Sequence, residues 1–255
     1  MIIYRCEDSL EGIMTGIYRV YEDKTPVENA ALSLDEEQML FSEERYVEPD
    51  AGRARKTASY LQQKFGEDDY ATICHALASD RKDKAQAVFR TVASGIEKKT
   101  DPGRLFDNLA DEYVNAAFRL ARATIRELDH LLGFTRFREL NNGILYAQIE
   151  PSADLLVPLM EHFCGRLGPE RFLIYDIKRK KAGIHIGGSD WYLRQGEIFS
   201  VEPSAEEYEY SELFRCFCRK ISIEERKNLN LQRSMLPLHF RTFMTEFAKN
   251  GQFSR

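Results

Sequence analysis

Between Phe134 and Leu193 the spacing of apolar positions switches from a period of two to a helical period and back. Phe134 to Leu140 alternates apolar with polar and predicts a half-buried strand. Asn141-Asn142-Gly143 tolerates positive φ and predicts a turn, after which Ile144 to Ile149 returns as a second strand. Beyond Pro151, Leu155, Leu156, Leu159, Met160 and Phe163 fall on one side of a helix over 153–167. Two more strands, Arg171 to Asp176 and Ala182 to Ile186, bracket the basic turn Lys178-Arg179-Lys180-Lys181, and a short strand is expected at Asp190 to Leu193. The pattern is β-β-α-β-β.

The flanking sequence reads differently. Ile2-Ile3-Tyr4 predicts a short strand, and Asp8 or Ser9 caps a helix whose apolar face is Leu10, Ile13, Met14, Ile17, Tyr18 and Tyr21. Residues 22–50 are acidic and carry Pro26 and Pro49, which predicts loop and short helix with a strand near Arg45-Tyr46-Val47. From Ala51 to Leu132 helical spacing dominates. Asp101-Pro102-Gly103 breaks it, and one long helix is expected over 106–132 with Leu109, Tyr113, Ala116, Ala117, Leu120 and Leu128 buried. Residues 196–211 look irregular, and the last forty residues look helical and basic. These patterns predict an α+β protein with a small, mainly antiparallel sheet, a helical region before it and helices after it. One unit spans 1–255, with sub-regions at 1–50, 51–132, 133–193 and 194–255.

A net charge of -5 and a pI near 5.7 argue against a general nucleic-acid coat but leave room for a local basic face, because salt screens each charge beyond about 8–10 Å. Five cysteines without paired spacing predict a reducing, cytoplasmic setting. No apolar run approaches the roughly 20 residues of a membrane span.

Catalytic signatures are absent from the sequence. Cys216-x-Cys218 is not a cluster or zinc motif, the five histidines show no ligand spacing, and there is no nucleophile elbow or phosphate loop. Neither metal nor cofactor is expected. His162, Asp176, Arg138 and Glu139 are the candidates for catalysis, with a His185–Asp contact across strands as a further reading and ion pairing of Arg136, Arg138 and Glu139 across the sheet, with Asp176 as a partner, as a structural alternative. Cations give the stronger signal. Lys178, Arg179, Lys180 and Lys181 sit at a hairpin tip, Arg136 and Arg138 share a strand face, and the tail adds Arg226, Lys227 and Arg233 with Asn228 and Gln232. Trp191 and Tyr192 follow the hairpin and suit base stacking.

The order Phe134-x-Arg136-Phe137-Arg138-Glu139-Leu140, Gly143, Tyr146-Ala147, Ile149-x-Pro151, His162-Phe163 and Arg171-Phe172-x-Ile174-x-Asp176 resembles a bacterial family, domain of unknown function 4130. The resemblance reaches Tyr4 to Gly12 at one end and Glu225-Arg226-x-Asn228, Gln232, Met235 and Pro237 at the other. It implies a setting in DNA metabolism or repair and association with a radical-SAM protein. The expectation is therefore an accessory protein that binds nucleic acid, DNA before RNA, beside a radical-SAM partner and away from membranes. The alternatives are a nucleic-acid-processing enzyme, or an adaptor whose acidic stretches 28–50 and 197–212 meet a basic partner.

Overall fold

A computed structural model of the chain describes residues 1–35, 42–197, 202–223 and 226–247. The fold is α+β, in two compact units, Met1–Arg126 and Glu127–Arg255.

The first unit is built on a three-stranded sheet. β1 (Ile2–Cys6) lies between β2 (Ala30–Ser33) and β3 (Glu43–Val47), and both pairings are parallel. Parallel neighbours need a crossover, and α1 (Leu10–Glu22) supplies the one from β1 to β2. Ser9 caps α1, its Oγ accepting from the Gly12 amide at 3.0 Å. Gly16 lets α1 close on the sheet, since a Cβ there would stand 2.2 Å from Cys6 Sγ. The parallel sheet and β2 were not expected from the sequence. Two long side chains hold β2 in place: Arg90 donates to the carbonyls of Val27 (2.8 Å) and Ala30 (3.1 Å), and Gln86 Oε1 accepts from the Leu32 amide (2.9 Å).

Helices α2 (Ala51–Phe65), α3 (Glu67–Ala78) and α4 (Lys84–Glu97) complete this unit's core around Tyr4, Met14, Phe65 and Phe89. The long helix α5 (Glu112–Phe134) starts six residues later than expected, because Asp111 Oδ1 accepts from the Tyr113 and Val114 amides and sets the helix start there. Leu109 consequently lies outside the helix and is exposed, against expectation.

In the second unit the strands run β4 (Arg138–Glu139), β5 (Leu145–Ile149), β6 (Arg171–Asp176), β7 (Lys181–Ile186) and β8 (Trp191–Gln195), adjacent in that order. All pairings are antiparallel except β5 with β6, which are joined through α6 (Leu156–Arg166). Leu159, Met160 and Phe163 of α6 pack over Ala147, Phe172 and Ile174. Gly183 admits Met160, whose Sδ would lie 2.4 Å from a Cβ there. The strand expected over 134–140 shrinks to two residues because α5 runs on to Phe134, whose ring packs between His130 (5.6 Å) and Phe240 (5.7 Å).

α7 (Ala205–Ile221) begins inside the stretch expected to be irregular, capped by Ser204, whose Oγ accepts from the Glu207 amide. α8 (Leu229–Met235) and two short 3-10 segments follow, Leu238–Phe243 and Thr245–Phe247. Among the described residues no helix is long and apolar enough to cross a membrane.

Candidate nucleic-acid interface

The basic hairpin is closed by its own charges. Asp176, fully buried at the end of β6, accepts from the Arg179 amide (3.1 Å) and from Arg179 Nη1 (2.9 Å). The same guanidinium donates to the Pro151 carbonyl (3.1 Å) and to that of Ser152. Lys178 Nζ donates to the Ser152 carbonyl (3.2 Å), Lys181 pairs with Asp154 (3.2 Å), and Lys180 pairs with Glu197. The Glu197 carboxylate raises the Lys180 pKa above its ordinary value. Lys180 turns the chain at φ 51°, in the left-handed region. The four cations thus come together, each with an acceptor from the same unit.

The strand arginines part company. Arg136 precedes β4 and forms a two-point contact with Glu246 (2.8 and 3.4 Å), while donating to the Gly133 carbonyl (2.8 Å). Arg138 lies in β4 opposite Tyr146, half-buried. Burial pushes its guanidinium pKa below the usual value, partly offset by the Glu207 carboxylate, with Arg215 adding a like charge. Glu207 also accepts from the Glu139 amide (3.0 Å). Of the ion pairing expected across the sheet for Arg136, Arg138 and Glu139, with Asp176 as a partner, two members pair elsewhere: Arg136 takes Glu246 and Asp176 takes Arg179.

The histidines are also placed differently from expectation. His185 is buried, opposite Phe172 and Trp191, with Nδ1 2.8 Å from the Glu170 carbonyl, and Lys181 occupies the position opposite Asp176. His162 is exposed on α6, its ring edge-on to Phe163. No hydrogen bond joins His162 to Asp176 among the described residues. Trp191 and Tyr192 fall on opposite faces of β8, as neighbours on a strand must. Trp191 packs on the α6 core, whereas Tyr192 is 46% exposed on the other face.

The tail is more open. A groove of about 490 Å³ lies where α7 meets α8, with Ile221, Ile223, Leu229, Leu231 and Met235 as its apolar walls. Four of the residues singled out from the sequence, Arg226, Lys227, Asn228 and Gln232, line it together. Asn228 doubles as the α8 cap, its Oδ1 accepting from the Leu231 amide at 3.0 Å. Arg233 is exposed on α8 outside the lining, and Glu225 of the closing motif lies outside the described residues.

One feature escaped the reading of the tail by charge. Tyr210, Leu213, Phe214, Phe217 and Ile221 form an exposed stripe along α7, and Leu229, Leu231, Met235 and Leu238 beyond it are exposed as well. The spacing i, i+3, i+4, i+7 was the signal that could have found it. These side chains range from 39% to 67% exposed, and those of α7 recur on one face of the helix rather than singly.

No curated protein matches the chain. The opening segment Tyr4 to Gly12 lies outside the family match, whereas β4 to β8, α7 and the α7–α8 groove lie inside it. That match, to the model described as domain of unknown function DUF4130, spans residues 82–246, well over half of the sequence, and the chain belongs to that family.

Proposed function

We propose that this chain is an accessory protein of DNA metabolism that holds nucleic acid in the α7–α8 groove and docks a radical-SAM partner through the apolar stripe of α7. The observation that carries the reading is the groove itself: Arg226 and Lys227 stand beside the amide side chains Asn228 and Gln232 over an apolar wall. Cations meet phosphates, amides offer donors and acceptors to base edges, and apolar side chains take unstacked bases. The Arg226 guanidinium has no partner among the described residues, unlike the hairpin cations. A stripe as exposed as Leu213, Phe217 and Ile221 suits a protein partner better than water.

The enzyme alternative has less support, because Asp176 is engaged by Arg179 and His162 is on the outer side of α6. Fluorescence anisotropy of labelled single- and double-stranded DNA across salt tests the proposal. Binding should weaken linearly in log salt, with a steeper loss for more phosphate contacts. A salt-independent response, or no binding at low salt, would remove the nucleic-acid role.

A further inference from the structure

The first unit contains a cleft that the nucleic-acid reading does not use. It measures about 460 Å³ and lies along the seam of α1 and α2, with Ile17, Leu61, Val92 and Ile96 beneath it. Tyr18 and Tyr21 of α1 and Tyr60 of α2 form its walls, and Lys56 stands at its edge. Its volume falls in the usual range for small-ligand sites, about 300–1,000 Å³.

The polar groups around the cleft decide what it suits. Thr57 is its only other polar lining residue, and that hydroxyl is spent on the carbonyls of Met14 (3.1 Å) and Arg53 (3.2 Å). The floor therefore offers nothing to the ring edges of a nucleobase, which would be buried there without partners. Polar capacity is confined to the walls and edge: the hydroxyls of Tyr18, Tyr21 and Tyr60 and the Lys56 ammonium have no hydrogen-bond partner among the described residues. Burial, with Tyr60 beside it, pushes the Tyr21 phenol up to about 12, so it stays a donor at neutral pH. Of the carboxylates on this side, Asp50 attracts Lys56 from the start of α2, where it accepts from the Arg53 amide (2.8 Å), and Glu22 is taken by Arg19 (2.9 Å) and Arg53 (3.3 Å), while the Lys56 ammonium lies 6.0 Å from the Tyr18 ring centre. Donors and a positive charge thus border an interior of hydrocarbon.

We infer that the α1–α2 cleft binds a free apolar carboxylate, its hydrocarbon body on Ile17, Leu61 and Val92 and its carboxylate at Lys56 and the tyrosine hydroxyls. Amide chemical-shift titration of the full chain tests this, with decanoate as the probe and decan-1-ol as its uncharged counterpart. Decanoate should shift the amides of Ile17, Tyr21, Tyr60 and Ile96 and bind at least fivefold tighter than decan-1-ol. Lys56→Glu should weaken decanoate at least fivefold and leave decan-1-ol unchanged, and Lys56→Gln should fall between. Equal affinity for the two probes overturns the proposal. So do shifts confined to α7 and α8, where the exposed stripe captures any amphiphile. Shifts at the cleft that move with protein concentration alone would assign it to a second copy of the chain instead. DNA binding through the tail is unaffected by these variants, which separates this inference from the proposed function.

Discussion

The β6–β7 hairpin and the α7–α8 tail carry similar basic sequences and spend them in opposite ways. In the hairpin, Lys178, Arg179, Lys180 and Lys181 all reach acceptors within a few residues of 151–154 or at Glu197. In the tail, Arg226 lines an open groove and Arg233 stands exposed, neither with a partner among the described residues. A run of cations therefore says little until its acids are located. Arg179 closes a tight turn over a buried aspartate, so its charge is structural. Arg226 and Arg233 in the tail close no such turn among the described residues.

The largest effect is expected from breaking the hairpin's inner pair, Arg179 and Asp176. Arg179→Met strands the fully buried Asp176 carboxylate and should cost about 3–5 kcal/mol in urea denaturation, because an unpaired buried charge loses its compensation. The double variant Arg179→Met/Asp176→Leu should recover much of that loss. A single-variant loss below about 1 kcal/mol would mean that the hairpin cation is dispensable to the fold. A smaller effect is expected where the last 3-10 segment is tied down. Arg136 and Glu246 are 27% and 15% exposed, so a double-mutant cycle to alanine should give a coupling of about 1 kcal/mol. Zero coupling would release Arg136 for phosphate binding and weaken the contrast between the two regions.

Much of the second unit was legible in the sequence. The edges of β5, β6 and β7 fall within about two residues of the alternating runs, since each strand has a clear apolar face and a turn signal at its ends. β2 was not legible: Ala30 to Ser33 is too short and too weakly apolar to show a period, and Arg90 and Gln86, some sixty residues away, hold it. The end of α5 was misjudged because Phe134 fits either period, and packing against His130 and Phe240 decides for helix. The site was half legible. The sequence names the hairpin cations but cannot show that Asp154 and Glu197, 27 and 17 residues from their partners, neutralise two of them. The tail reads as scattered charge in the sequence, because the apolar walls of its groove come from Ile221, Ile223, Leu229, Leu231 and Met235, which only the folded chain brings around one space.

On the proposed function, the tail rather than the hairpin is the basic surface offered to nucleic acid. Two double variants compared in one anisotropy series test it most directly, Arg226→Gln/Arg233→Gln against Lys178→Gln/Lys180→Gln, each titrated with single-stranded DNA from low to moderate salt. The tail variant should bind about tenfold more weakly, its log–log salt slope shallower by about 1.4 for two lost phosphate contacts, and the hairpin variant should match the unaltered chain. The reverse outcome, a shallower slope from the hairpin variant and none from the tail, would contradict the account.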